Sequence, residues 1–227
     1  TRVCLTPGES SSMKENNKEF PSKGWILAFH PDLICGTPLG LNIHNYTFFS
    51  YCPEEALHLS LREKQIILEF LERIRQELER CIDRHSKKII SKYIELLLDY
   101  CTRFYERQFI TRSEVNKKVF REFNHLLDNH FNVKVSLSTD VLSDEYCANL
   151  LHLSPAYFND LLKYEIGKEF KEYIQFKRFE IAKGWLVNTD KTLGQIAQEL
   201  GFSNSQYFSR LFKKITGCSP NEFRMPN

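Results

Sequence analysis

Tyr157-Phe158-Asn159-Asp160-Leu161-Leu162-Lys163 returns as Tyr207-Phe208-Ser209-Arg210-Leu211-Phe212-Lys213, fifty residues further along a chain of 227. The same offset pairs Gly167 with Gly217 and Glu172-Tyr173 with Glu222-Phe223. Upstream the offset is forty-nine, matching Ala148 with Ala197, Leu151 with Leu200, Leu153 with Phe202 and Ser154 with Ser203, so the second copy carries one added residue. A fixed-period repeat marks a duplicated supersecondary unit.

Each copy reads as a short helix, a tight turn and a second helix. Ala148 and Ala197 are small enough for the second helix to cross closely, and Phe158, Leu161, Leu162 and Phe208, Leu211, Phe212 form its inner face, which is helix-turn-helix patterning. The helix starts are written as caps: Ser143, Ser154-Pro155, the capping boxes Thr192 to Gln195 and Ser203 to Gln206, and Ser219-Pro220. A further helix runs from Ser113 to about Asn132. Between the copies, Lys168 to Val187 reads as one helix of about twenty residues, roughly 30 Å long at 1.5 Å per residue. Successive major-groove faces of a duplex lie roughly 34 Å apart, so such a rod would set two reading helices on one face of the DNA. The outward positions are Ala156, Asn159, Asp160 and Lys163 in the first reading helix, and Ser205, Gln206, Ser209, Arg210 and Lys213 in the second.

Residues 1 to 59 read differently. Apolar runs at Trp25–Phe29 and Tyr46–Tyr51 are separated by Pro7-Gly8, Pro31-Asp32, Gly36-Thr37-Pro38 and Pro53, which predicts strands and turns, with a polar loop over Ser10 to Lys18. Ser60-Leu61-Arg62-Glu63 is a capping box opening an amphipathic helix with Ile67, Phe70, Leu71, Ile74, Leu78, Cys81 and Ile82 on its apolar face. A second helix from near Ser86 carries Ile90, Ile94, Leu97, Cys101 and Phe104, and the short break at Asp83–Ser86 predicts an antiparallel pair. Its apolar band is broad enough to serve a dimer contact as well as the core.

The composition excludes several classes. The longest apolar run, Ile94 to Leu98, is broken by Glu95 and is far short of a membrane span. Seven cysteines, odd in number and never spaced C-x-x-C, read as reduced thiols rather than a disulfide framework or zinc site. His30, His44 and His58 show no H-x-H pair and read as structural or exposed rather than metal ligands, and no nucleophile, phosphate loop or carboxylate pair stands in a catalytic context. The reading is therefore no enzyme, no cofactor and no metal. The net charge of +2 is neutral toward a polyanion, but from Lys163 onward eleven Lys or Arg face seven Asp or Glu. The chain begins Thr1-Arg2-Val3, so a trimmed or partial chain with more upstream is expected.

The run Ile196-Ala197-x-x-Leu200-Gly201-Phe202-Ser203-x-x-x-Tyr207-Phe208-Ser209-Arg210-x-Phe212-Lys213-Lys214-x-x-Gly217-x-Ser219-Pro220-x-Glu222-Phe223-Arg224 closely resembles the signature of AraC/XylS-type transcriptional regulators. The resemblance implies an all-α tandem helix-turn-helix domain over 113–227, with units at about 143–166 and 192–216 joined by a linker helix at about 168–187. For residues 1–110 it implies an N-terminal α+β part: a partial cupin-like β-sheet lacking its opening strands, then an antiparallel helical hairpin. The fold class expected is thus mainly α with this α+β N-terminus. By the same resemblance Ser205, Gln206 and Arg210 fall where the family contacts bases, as do Ala156, Asn159 and Asp160. Arg suits guanine and Gln adenine, Ala156 can meet only a thymine methyl, and Asp160 repels phosphate unless it accepts from cytosine or pairs with a lysine. Lys163 and Lys213 suit phosphates. The implied partners are double-stranded DNA, a second copy through the hairpin 60–110, RNA polymerase and a small-molecule effector, in a cytoplasmic dimeric activator. The competing reading is a cupin-type enzyme or sugar-binding protein with an accessory helical domain.

Overall fold

A computed structural model describes residues 24–132 and 142–225. The chain divides into two compact units, Thr1–Ser113 and Glu114–Asn227, and each is built around its own helices.

The N-terminal unit corrects the expected α+β fold. Among the described residues it contains no strand: residues 31–55 form short 3-10 turns at Pro31–Leu33, Ile43–Asn45, Thr47–Ser50 and Pro53–Glu55, and one short α-helix, α1 (Pro38–Asn42). The polar loop expected over Ser10 to Lys18 and the turn at Pro7-Gly8 lie outside the described residues. The prolines were misread. Pro31, Pro38 and Pro53 sit in the first turn of these helices, where the missing N–H costs nothing and the fixed φ suits a helical start. Proline at those places punctuates helical turns as readily as strands. The aromatic run does not alternate across a sheet either. Phe48 is buried and stacks on Tyr105 at 5.3 Å, while the Tyr46 hydroxyl donates to Asp99 at 2.7 Å, so the segment is laid along a helix surface.

That surface is the pair α2 (Leu61–Glu79) and α3 (Ser86–Thr111), which pack against each other around Ile67, Leu71, Ile74, Ile90, Ile94 and Leu97. Ser60 and Glu63 form the capping box of α2. Glu63 also accepts from the Arg107 guanidinium at 2.6 Å, and Arg107 donates to the His58 carbonyl at 2.7 Å, tying the start of α2 to the end of α3. Burial raises the Glu63 carboxyl, but the Ser60 donors and Arg107 outweigh it and hold Glu63 below the usual carboxylate range.

Among the described residues the C-terminal unit has seven helices: α4 (Ser113–Asn132), α5 (Asp144–Leu150), α6 (Pro155–Ile166), α7 (Phe170–Asn188), α8 (Leu193–Glu199), α9 (Ser205–Thr216) and α10 (Pro220–Arg224). It has two apolar cores. One gathers Phe123 and Leu127 of α4, Cys147 and Ala148 of α5, Phe158 and Leu162 of α6, and Phe170, Tyr173 and Ile174 of α7. The other gathers Phe179, Ala182 and Leu186 of α7, Ile196 and Ala197 of α8, and Phe208 and Phe212 of α9. The α7 helix therefore supplies its first half to one core and its second half to the other. The Tyr173 hydroxyl donates to Asn124 at 2.6 Å and pins α7 to α4. At the far end, Arg224 of α10 donates to the carbonyls of Leu186 and Lys191, holding α10 to the end of α7.

The two turns are copies bond for bond. Leu153 N–H donates to Ala148 at 2.9 Å and His152 N–H to Asn149 at 3.1 Å; Phe202 N–H donates to Ala197 at 2.8 Å and Gly201 N–H to Gln198 at 3.0 Å. This is the pairing of a Schellman motif, which needs one left-handed residue. Gly201 fills that place in the second copy at φ +74°, and His152 fills it in the first at φ +57°. A side chain pays steric strain there that glycine does not. His152→Gly is expected to stabilise the C-terminal unit by up to about 1 kcal/mol, read as a higher denaturant midpoint, whereas a lower midpoint would show that the imidazole contributes more than it strains.

Candidate nucleic-acid interface

The added residue of the second copy is visible in the caps. Ser154 is the N-cap of α6, accepting from Tyr157 N–H at 3.2 Å, and its structural counterpart is Asn204, which accepts from Tyr207 N–H at 2.7 Å. Ser203 is thus the inserted residue, and the expected capping box of Ser203 with Gln206 does not form. This frees Gln206. It is exposed and has no hydrogen-bond partner among the described residues.

In α9 the inner face is Phe208 and Phe212, both fully buried. Opposite them stand Gln206, Arg210 and Lys213, all exposed, and Arg210 has neither a carboxylate nor a hydrogen-bond partner among the described residues. Ser205 is half-buried, and its carbonyl accepts from the Ser209 hydroxyl at 2.7 Å, so Ser209 is engaged with its own helix. Tyr207 also faces out, 46% exposed, with its ring 6.5 Å from that of Phe202. Sequence patterning did not single it out, because its counterpart Tyr157 is 5% exposed.

The outer face of α6 differs. Ala156, Asn159 and Asp160 are half-buried and Lys163 is exposed. The Asn159 amide donates to the Asp144 carboxylate in the first turn of α5, at 2.8 Å, in a part-buried bond that residue spacing does not announce. Serine stands at the position of Asn159 in the second copy and leucine at that of Asp144, so no such bond can form there. Gly167 and Gly217 end α6 and α9 in the same way, their N–H groups donating to the Lys163 and Lys213 carbonyls. One further group stands out between the copies. Arg178 of α7 lies 6.0 Å from the Phe202 ring, its Nε is buried without a partner among the described residues, and burial lowers its pKa.

A duplicated helix-turn-helix on a shared helix, with polar and cationic residues on the outer face of the second copy's reading helix, defines a DNA-binding module. Residues 147–225 match a family described as a helix-turn-helix domain. The chain is 33% identical over 111 residues to the uncharacterized HTH-type transcriptional regulator YtdP of Bacillus subtilis, covering 49% of this chain and 14% of that one. It is 32% identical over 101 residues to the arabinose operon regulatory protein of Salmonella typhimurium, 44% of this chain and 32% of the other. Against the uncharacterized HTH-type transcriptional regulator YijO of Escherichia coli the likeness is 25% but extends over 98% of this chain and 75% of that protein. Residues 147–225 thus carry a helix-turn-helix domain, in the half of the chain that is similar to these transcriptional regulators. The chain spans 14%, 21% and 41% of the lengths of three curated relatives that it matches.

Proposed function

We propose that the whole chain is a sequence-specific transcription regulator acting on double-stranded DNA in the cytoplasm, and not an enzyme. The observation that carries this reading is the outer face of α9, where Gln206 and Arg210 project with no partner among the described residues. On this reading α6 and α9 face successive major-groove segments, with Ala156, Asn159, Asp160, Ser205, Gln206, Ser209 and Arg210 on the groove side and Lys163 and Lys213 toward phosphates. The helix α7 between them has 19 residues, about 28 Å at 1.5 Å per residue, which is close to one turn of the duplex. The test is binding of the full chain to a random duplex pool across a salt series. Phosphate contacts release counterions, so affinity should fall by about a thousandfold between 50 and 200 mM salt if six phosphates are engaged. A flat salt response would remove the reading.

The chain's second copy is the proposed partner of the hairpin. Ile89 and Leu96 are 37% and 43% exposed, seven residues apart on α3, and the partly buried Tyr93 and Tyr100 repeat that spacing beside them. Apolar residues at heptad spacing along one face are what a second helix covers. Leu96→Lys is expected to shift the protein from dimer to monomer in sedimentation while leaving its circular dichroism unchanged. A wild-type chain that sediments as a monomer at micromolar concentration would remove the dimer. Contact with RNA polymerase, activation and a small-molecule effector complete the regulator this resemblance implies, and transcription in vitro from a selected site separates activation from repression.

A further inference from the structure

We infer that the two helix-turn-helix units do different work: α9 alone reads sequence, through Gln206 and Arg210 with Tyr207 fixing their register, while α6 is held back from base reading and lies on the duplex under electrostatic restraint. The inference rests on the DNA-binding reading above. Three observations carry it.

The first is charge. From Asp144 to Gly167 the first unit has four carboxylates, Asp144, Glu145, Asp160 and Glu165, against Lys163. The corresponding stretch of the second unit, Leu193 to Gly217, has Glu199 against Arg210, Lys213 and Lys214, and Glu199 is itself paired with Lys191. Two scaffolds with the same turn bonds therefore meet a polyanion with opposite net sign, which opposes close approach by one and favours it by the other.

The second is the Asn159–Asp144 bond. Asparagine reads adenine by offering its amide N–H and its carbonyl together. In α6 one of the two amide N–H groups is committed to Asp144 at 2.8 Å, in a part-buried place, and this charge-assisted bond restrains the side chain from turning toward a base. With Asn159 held, Ala156 offers only a methyl.

The third is Tyr207. The repeat places tyrosine at both positions, but Tyr157 is packed away and Tyr207 stands out between Gln206 and Arg210, braced by Phe202. Residues 206, 207 and 210 are neighbours on one helical face. A braced, exposed phenol at the first turn of a reading helix donates to a phosphate oxygen, as tyrosines at such interfaces do, and fixes the register in which Gln206 and Arg210 meet bases.

The experiment is binding-site selection from random duplex by the full chain and by three variants. The wild-type chain should yield a constrained block, and Q206A combined with R210A should select no preferred sequence while still binding random duplex in a salt-sensitive way. Y207F, which removes only the hydroxyl, should weaken binding about threefold to tenfold on selected and random duplex alike, with an unchanged denaturation midpoint. D160N should tighten binding to random duplex severalfold, because a negative charge leaves the neighbourhood of the phosphates. The inference is overturned if the Q206A/R210A chain still selects a constrained block, since that block would be read by α6, or if D160N loses sequence preference, since Asp160 would then be reading cytosine. If wild type binds no duplex, the DNA-binding reading falls and this inference with it.

Discussion

Phe208→Ala should lower the stability of the C-terminal unit by about 3–5 kcal/mol and abolish DNA binding, although the residue touches no DNA. Phe208 is fully buried, and its ring lies 5.2 Å from Phe202, 5.7 Å from Phe212 and 6.1 Å from Phe179. Truncation opens a cavity among three other phenylalanines, anchored on α7, on α9 and in the turn that precedes α9, so the hole cannot close without moving one of these elements. The loss is read by denaturation followed through Trp185, which packs against this core. Its repeat partner gives the control. Phe158 is equally buried in the other core, 5.0 Å from Phe123, so Phe158→Ala should cost a similar amount while perturbing Trp185 less. A Phe208→Ala chain with an unchanged midpoint would mean that the second core does not organise α9.

Arg210→Ala should leave that midpoint within about 0.5 kcal/mol and weaken the selected DNA site by about 1–3 kcal/mol, roughly tenfold to more than a hundredfold. The two effects separate because the side chain is exposed and makes no bond to the described residues, so its removal leaves none of them unsatisfied. Guanidinium matches guanine O6 and N7 in a bidentate pair, and a loss confined to the selected sequence would assign Arg210 to a base. An equal loss on random duplex would assign it to a phosphate. Arg210→Lys tests the geometry further, since lysine keeps the charge but not the planar fork.

The C-terminal unit was largely legible because its rules are local. Caps at Ser143, Ser154, Thr192 and Ser219 announce themselves by residue type, and the spacing of Phe158, Leu162, Phe208 and Phe212 gives the inner faces directly. Ser203 shows the limit of that reading. Two adjacent polar residues, Ser203 and Asn204, can each cap a helix, and only the closed turn from Ala197 to Phe202 decides that the second one does. The N-terminal residues failed for a related reason. Proline, glycine and aromatic residues mark strands only if partner strands exist to take their backbone groups, and for residues 24–60 the partner is a helical hairpin.

The sequence by itself determined that the chain ends in a duplicated helix-turn-helix joined by a helix, and which residues of α6 and α9 point away from the cores, because period, caps and apolar spacing are properties of neighbours in the chain. Tertiary structure alone decided what those outward residues are free to do. Asn159 meets Asp144 from fifteen residues away, Tyr157 is buried where Tyr207 is not, and Gln206 is released from a cap that sequence had assigned to it. Such facts depend on which surfaces the fold brings together, and a repeat that conserves its inner faces leaves its outer faces to be settled by contacts distant in sequence.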